Sequence, residues 1–268
     1  MGAVTSGKVA IFGAGGPVGA MAARALKDHY TLRLTDRRPI EEIVVAEARQ
    51  SPEAPLPEVL PPPHECRMVD ITDYDQVREA ARGMDALVNV SVVREMLAPA
   101  FAVSTIGAYH VAKAAAELGI RRIIHTGPYH AHPGVNGDYW WDFDVSVDAP
   151  LRPGSDLYAV SKYLGGEITR VFAEEHDLEV VTFLYCNFLP GDGGKAADGS
   201  GVGPFSVSWE DAGDAFLYGL RAETLPRPYE PFFICADLPA GKYRPTKAKQ
   251  LLGWEPKHRF ERLWTRRA

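Results

Sequence analysis

The first 185 residues alternate short apolar runs with segments of helical periodicity, and this alternation limits the chain to few folds. Several of the apolar runs are continuous, which is typical of parallel strands that helices cover on both faces. We therefore predict an α/β fold with a doubly wound parallel sheet. The predicted strands are residues 8–12, 31–34 (followed by Asp36), 66–69, 86–90, 122–126 and 179–185, and the predicted helices are residues 17–28, 73–82, 99–118 and 157–175.

The pattern changes after Pro190. A glycine-rich stretch covers residues 191–203, and two further helices are expected at residues 210–221 and 246–252. A chain of 268 residues suits one large domain with a small C-terminal part. We place the large domain at residues 1–188 and the small part at residues 189–268, whose helices and strands return to the large domain. Residues 51–63 carry six prolines and are expected to form a surface loop.

Composition and charge exclude some classes of protein. Hydrophobic residues make up 46% of the chain, so a core can form, and the net charge of −6 argues against nucleic-acid binding, which needs a basic face. The cysteines Cys66, Cys186 and Cys235 are widely spaced, and we interpret them as buried free thiols of a cytoplasmic protein. The N-terminus does not resemble a signal peptide, and no stretch reaches the roughly 18 apolar residues of a membrane span.

A glycine-rich turn lies between the first predicted strand and the first predicted helix. Glycines let a backbone turn tightly and approach a pyrophosphate without a Cβ in the way. The helix that follows offers free N–H groups and a partial positive charge to phosphates. The alternative is an ordinary strand–helix turn, but the context favours a dinucleotide site. Its expected contacts are Gly13, Gly15, Gly16, Pro17, Val18 and Gly19.

The ends of the next strands suggest which dinucleotide binds. Asp36 ends the second predicted strand, where a carboxylate accepts hydrogen bonds from the adenosine ribose and repels a 2′-phosphate. It therefore favours NAD over NADP, although Arg37 and Arg38 soften this preference, and Arg37 could instead lie over the adenine. Asp70 ends the third predicted strand, within reach of the adenine amino group. Ile71 and Val90 complete the expected cofactor contacts.

Tyr158 and Lys162 lie four residues apart at the start of a predicted helix and therefore share one face. A free tyrosine has a pKa of about 10, and a neighbouring ammonium lowers it by stabilising the phenolate. Such a pair can exchange a proton with a sugar hydroxyl while a hydride moves to a nicotinamide. This spacing is frequent by chance, and a surface pair is the alternative. It becomes more specific because it follows a dinucleotide turn.

Together these residues resemble the extended short-chain dehydrogenases/reductases, the NAD-dependent epimerase/dehydratase family. The resemblance implies a Rossmann domain, a small substrate-binding part, and Tyr158 and Lys162 as catalytic residues, with Lys162 also holding the nicotinamide ribose. It further implies a homodimer formed through the helices at residues 99–118 and 157–175. The segments that carry it are the glycine spacing of Gly13, Gly16 and Gly19, and residues 69–73, 83–88, 150–158 and 251–256.

The chain departs from the family pattern near the expected substrate. The family usually has a catalytic Ser or Thr at the end of the fifth strand, where this chain reads Thr126, Gly127 and Pro128. Thr126 is the nearest hydroxyl and our candidate, although it could simply end the strand. Tyr129 or His130 could take the role instead. The family's Asn in the fourth helix corresponds to Ser104, and an Arg expected after the sixth strand is missing. We expect Tyr129, His130 and Asn187 to contact substrate.

Three functions remain open from the sequence. The first is an NAD-dependent oxidoreductase acting on a hydroxyl or lactol carbon of a sugar or sugar acid, with the short chain resembling uronate dehydrogenases. The second is a sugar or nucleotide-sugar epimerase with tightly bound NAD. The third is a weakly catalytic NAD-binding protein. Aromatic and polar residues of the segment 130–144 could bind a sugar or simply pack a loop, and nothing in their spacing indicates a metal site.

Overall fold

The computed structural model describes residues 3–45, 53–93, 97–128, 144–153, 156–194, 202–203, 205–239 and 241–260. The strands are β1 (Lys8–Phe12), β2 (Thr31–Asp36), β3 (Glu65–Met68), β4 (Ala86–Asn89), β5 (Arg122–Pro128), β6 (Glu179–Tyr185), β7 (Asn187–Leu189), β8 (Ser206–Ser208) and β9 (Tyr229–Phe233). The helices are α1 (Pro17–Leu26), α2 (Ile40–Val45), α3 (Tyr74–Ala81), α4 (Leu97–Leu118), α5 (Leu157–Glu175), α6 (Trp209–Arg221) and α7 (Thr246–Leu252).

Seven strands form one parallel sheet in the order β3-β2-β1-β4-β5-β6-β9. The chain moves outward from β1 to β3 on one side and from β4 to β9 on the other, so the strand order reverses between β1 and β4. In such sheets ligands bind outside the carboxyl ends of the strands at the point of reversal. The predicted α/β, doubly wound parallel fold is confirmed.

Two apolar cores cover the two faces of this sheet. Alternate residues of each strand point to opposite faces, so Ile123 and Ile124 on β5 belong to different cores. Helices α1, α6 and α7 cover the face of Ile124, and α3, α4 and α5 cover the face of Ile123. Helix α5 thereby brings its first turns to the carboxyl ends of the central strands.

Several boundaries differ from the prediction in ways that matter for the site. Strand β3 ends at Met68, so Asp70 lies two residues beyond the strand. Strand β5 continues to Pro128, because it keeps its register with β6 as far as Tyr185. Helix α2, strand β9 and the small two-stranded sheet of β7 and β8 were not predicted. Strand β9 tolerates Pro231 because it lies at the edge of the sheet.

The cysteines and the proline-rich segment are only partly as expected. All three cysteines are free, but only Cys235 is buried, whereas Cys66 and Cys186 are half-buried. Cys66 lies on β3, an edge strand, and Cys186 lies between two strands, so neither is fully covered. Residues 53–63 contain neither helix nor strand, in agreement with the predicted loop. Among the described residues, no helix is long and apolar enough to cross a membrane.

Candidate functional site

The glycine turn after β1 packs closely against its surroundings at three positions. Gly13 has a φ of +86°, which favours glycine, and a Cβ there would lie 2.8 Å from the Cα of Ser91. A Cβ at Gly19 would lie 2.3 Å from the carbonyl oxygen of Gly13. A Cβ at Gly15 would meet the carboxylate of Asp36 at 2.7 Å. The turn therefore packs closely against the ends of β2 and β4.

The first turn of α1 has no side chain that caps its backbone N–H groups. Gly16 is the N-cap residue and contributes no side-chain hydrogen bond, and Pro17 occupies the first helical turn. Free helical N–H groups with no capping side chain are a suitable partner for a pyrophosphate. The residues present, including Val18, therefore fit a dinucleotide at this end of the sheet.

Asp36 is fixed by backbone N–H groups at the end of β2. Its carboxylate accepts hydrogen bonds from the N–H of Gly15 at 3.1 Å and from the N–H of Arg38 at 3.3 Å. The carboxylate is thus held beside the glycine turn, where an acceptor for ribose hydroxyls is expected. Asp70 accepts two hydrogen bonds from Thr72, and these bonds lower the pKa of the Asp70 carboxyl.

The positive charge of Arg37 is a smaller cause of the low pKa of Asp70. Arg37 and Asp70 therefore act on each other electrostatically across the ends of β2 and β3. Ile71 and Val90, the two apolar residues expected to contact the cofactor, are both buried.

Lys162 joins α5 to the end of β4. Asp156 caps α5 by accepting a hydrogen bond from the N–H of Tyr158, which sets where the helix begins. One turn later, the buried Nζ of Lys162 donates to the carbonyl oxygen of Ser91 at 3.0 Å. Ser91 is also the residue that Gly13 approaches, so the ammonium lies close to the glycine turn. Sequence reasoning did not identify Ser91, because a single serine after a strand carries no distinguishing pattern.

The middle of β5, level with the end of β4, holds a histidine that sequence reasoning also missed. His125 is buried, and its Nε2 has no hydrogen-bond partner in the described part of the chain. Burial, followed by the positive charge of Lys162, lowers the pKa of His125 to about 3. The imidazole is therefore neutral at ordinary pH. A histidine inside an apolar run is predicted to be an interior residue, and the sequence pattern does not predict that Lys162 lies near it.

A small cavity adjoins Lys162 between α5 and the ends of β5 and β6. It has a volume of about 50 Å³, and its lining includes Gly127, Gly166, Leu184 and Tyr229. A water molecule takes up about 30 Å³ of liquid volume, so the cavity has room for one.

The family model for "NAD dependent epimerase/dehydratase family" matches residues 9–199, which is most of the chain. The protein belongs to this family. NAD is the cofactor of the family, which confirms the expected cofactor, and the resemblance that the sequence suggested is confirmed with it.

Individual relatives are distant. The chain is 24% identical over 258 residues to an NAD-dependent glucose-6-phosphate dehydrogenase of Haloferax volcanii, covering 92% of each chain. It is 28% identical over 148 residues to a uronate dehydrogenase of Pseudomonas putida, covering 53% of this chain and 52% of that one. A crystal structure of uronate dehydrogenase from Agrobacterium tumefaciens superposes with a TM-score of 0.73 at 21% identity, covering 99% of this chain and 92% of that chain.

Thr126, the candidate for the catalytic hydroxyl, already uses its side chain in a contact with β4. The Oγ1 of Thr126 is buried and donates to the carbonyl oxygen of Asn89 at 3.3 Å. A Cβ at Gly127 would lie 2.7 Å from the Leu184 side chain, so the surrounding packing leaves little room for a serine there. Ser104 is buried, and its hydroxyl has no partner among the described residues.

Of the remaining candidates for substrate contact, the structure describes Asn187 only. The side-chain amide of Asn187 donates to the Oγ of Ser206 at 2.9 Å, which links β7 to β8. Tyr129 and His130, with the rest of the segment up to residue 143, lie outside the described residues. The described residues contain no cluster of three side chains that could hold a metal ion.

Proposed function

We propose that the protein oxidises a hydroxyl or lactol carbon of a sugar or sugar acid with NAD. The observation that carries this proposal is the hydrogen bond from Lys162 to Ser91. It brings the ammonium of the Tyr158–Lys162 pair to the strand end that the glycine turn also contacts through Gly13. The ammonium of Lys162 and the glycine turn therefore lie close to each other at the reversal of strand order, which supports the proposal.

In this proposal Tyr158 takes the proton of the substrate hydroxyl. NAD, when bound, would supply the hydride acceptor. The buried ammonium of Lys162 stabilises the phenolate of Tyr158 and holds the nicotinamide ribose. Asp36 accepts hydrogen bonds from the adenosine ribose, which favours NAD over NADP. Thr126 remains the candidate hydroxyl donor, with Tyr129 or His130 as alternatives.

The names of the relatives support this substrate class. Those relatives act on uronates and on glucose 6-phosphate, which are single sugars with an oxidisable C1. We place the substrate-binding part at residues 189–268, near Asn187, and the cofactor domain at residues 1–188. Three free cysteines are compatible with the cytoplasmic location that we also propose.

An assay of NADH formation tests the proposal. Purified protein with excess NAD is offered hexuronates, neutral sugars, sugar phosphates and nucleotide sugars. We expect turnover with one class, and its loss in Tyr158→Phe. The matched control is Tyr218→Phe on α6, an exposed tyrosine distant from the glycine turn in the chain. Full activity of Tyr158→Phe would refute the assignment.

Two alternatives make different predictions in the same sample. An epimerase would show no net NADH and would carry NAD that does not exchange. A weakly catalytic NAD-binding protein would bind added NAD but turn over none of the sugars. Cofactor analysis of the purified protein separates these two outcomes.

We also propose a homodimer formed through α4 and α5. These packed helices leave a stripe of large apolar side chains exposed, although such residues are usually buried. On α5 the exposed residues recur every seven positions, which places them along one side of the helix. The stripe consists of Phe101, Ile106 and Tyr109 on α4 and Leu157, Leu164 and Val171 on α5.

Light scattering after gel filtration tests this proposal. We expect a dimer that Leu164→Glu converts to monomer, because a charge cannot be buried there without a partner. Tyr218→Glu, which changes an exposed aromatic residue on α6, is expected to leave the dimer intact. A monomeric wild-type protein would refute the proposal.

A further inference from the structure

A row of polar side chains crosses β4, β5 and β6 at the level where β4 ends. Asn89, His125 and Thr182 are register partners across these strands, and all three are buried. We call them the polar row. Helix α5 packs on this face of β5 and β6, and an apolar cluster adjoins the row. On the same three strands, the preceding row of this face is apolar and consists of Leu87, Ile123 and Val180.

Two members of the polar row, His125 and Thr182, have a buried polar atom without a hydrogen-bond partner among the described residues, and His125 is the one on which the charge of Lys162 acts. A buried nitrogen without a hydrogen-bond partner destabilises a fold, since water would have satisfied it. The Nε2 of His125 is in this state among the described residues. A phenylalanine or leucine would fill the same position without that cost. The presence of a histidine at position 125 therefore points to a role other than packing.

The polar row meets the catalytic lysine at the end of β4. The Nζ of Lys162 donates to the carbonyl oxygen of Ser91, and the N–H of Ser91 donates to the Oδ1 of Asn89 at 3.2 Å. Asn89 is the direct neighbour of His125 across the sheet. Among the charged groups of the described residues, Lys162 is the one whose charge acts on His125.

We propose that His125 is a positioning residue for the Tyr158–Lys162 pair. When NAD and substrate are bound, its imidazole, protonated on Nδ1, accepts a hydrogen bond from the ammonium of Lys162 through the Nε2 lone pair, which has no partner among the described residues of the free protein, and so fixes the ammonium. From this position the ammonium stabilises the phenolate of Tyr158. A carboxylate at position 125 would hold the lysine as well but would cancel its positive charge. A neutral acceptor holds the ammonium and leaves its charge to act on Tyr158.

This inference rests on the proposed function, because it assumes that Lys162 activates Tyr158. The kinetic test uses NAD and D-glucuronate as the probe substrate. In His125→Phe we expect kcat at pH 7 to fall about tenfold and the acid limb of the kcat–pH profile to move up by about one pH unit. Activity should recover at high pH, and Tm should not fall. His125→Gln, which keeps an acceptor, should restore part of the activity.

Thr182→Val is the matched control. It removes the hydroxyl of the neighbouring residue in the polar row at nearly constant volume and should keep the wild-type pH profile. If His125→Phe keeps the wild-type profile while Tyr158→Phe is inactive, this inference is wrong and the proposed function stands. If Tyr158→Phe is fully active, the proposed function is wrong.

A second measurement needs neither substrate nor a folded His125 variant. In protein labelled with ¹⁵N-histidine, NMR should show His125 neutral and protonated on Nδ1 between about pH 5 and pH 9. Its Nε2 resonance should shift in Lys162→Met. A charged imidazole, the Nε2-protonated tautomer or an Nε2 resonance unchanged by Lys162→Met would each overturn the inference.

Discussion

Two glycines in the turn after β1 should respond differently to the same substitution. The nearest described atom to a Cβ at Gly16 is the carbonyl oxygen of Gly13 at 3.6 Å, an ordinary contact. The backbone of Gly16, with φ −81° and ψ 163°, also suits alanine. A Cβ at Gly19 would lie 2.3 Å from the Gly13 oxygen and 2.6 Å from the Cα of Ala14. Both of those atoms belong to the backbone and cannot rotate away.

The magnitudes follow from these contacts. Gly16→Ala weakens an N-cap by about 0.5–1 kcal/mol. The lost freedom of glycine in the unfolded chain offsets this by about 0.4–1 kcal/mol. The free energy of unfolding should therefore change by less than about 0.5 kcal/mol. Gly19→Ala overpacks the turn and should lower the free energy of unfolding by about 1–3 kcal/mol.

Gly16→Ala should affect the binding of NAD, although it should hardly change stability. A methyl group at Gly16 lies at the helix end where the pyrophosphate is expected, so we predict that the Kd for NAD rises at least about tenfold. Urea unfolding without NAD measures stability, and titration calorimetry measures the Kd. Wild-type NAD affinity in Gly16→Ala would refute the placement of the pyrophosphate. Wild-type stability in Gly19→Ala would refute the argument from close backbone approach.

Three further predictions concern charge. Asp36→Asn keeps an acceptor for the Gly15 N–H but removes the charge, so calorimetry should show weaker NAD binding and a higher relative affinity for NADP. Arg122→Met removes a buried guanidinium that binds Glu179, and urea unfolding should show that the free energy of unfolding falls by about 3–5 kcal/mol. The control is Arg121→Met at the exposed neighbouring residue, which should lower the free energy of unfolding by less than about 1 kcal/mol. Because the pKa of His125 is lower in the folded protein than in the unfolded chain, the unfolded chain binds the proton first as the pH falls. The free energy of unfolding should therefore fall by up to about 1.4 kcal/mol per pH unit from about pH 6 to pH 4. Unfolding measured as a function of pH should lack this contribution in His125→Phe.

The sequence predicted the elements whose pattern is long or whose residues are distinctive. Helix α5 has the predicted bounds because Asp156 caps it and its apolar periodicity is regular. The end of β2 at Asp36 was predicted because a carboxylate ends an apolar run. The six-residue α2 and the three-residue β7 and β8 are too short for a periodic pattern. Strand β9 contains Pro231, which argues against a strand unless the edge position is known.

The candidate site shows a similar division between local and long-range information. Tyr158 and Lys162 share a helix face, so their spacing alone places them together. The contact of Lys162 with Ser91, and its electrostatic effect on His125, depend on how strands β4 and β5 lie beneath α5. No periodicity within either strand reports that arrangement.

The polar row gives a physical reason why the end of the sheet differs from its middle. A strand buried on both faces gains stability from apolar side chains, so each polar residue in the row makes folding less favourable unless it is satisfied. Ligands bind at this end, and a buried ammonium there needs neutral partners that leave its charge available. Asn89 and His125 are buried in this row, and neither adds a negative charge beside Lys162. We therefore expect the change from apolar to polar side chains on this face to mark where the ligand-binding end of the sheet begins.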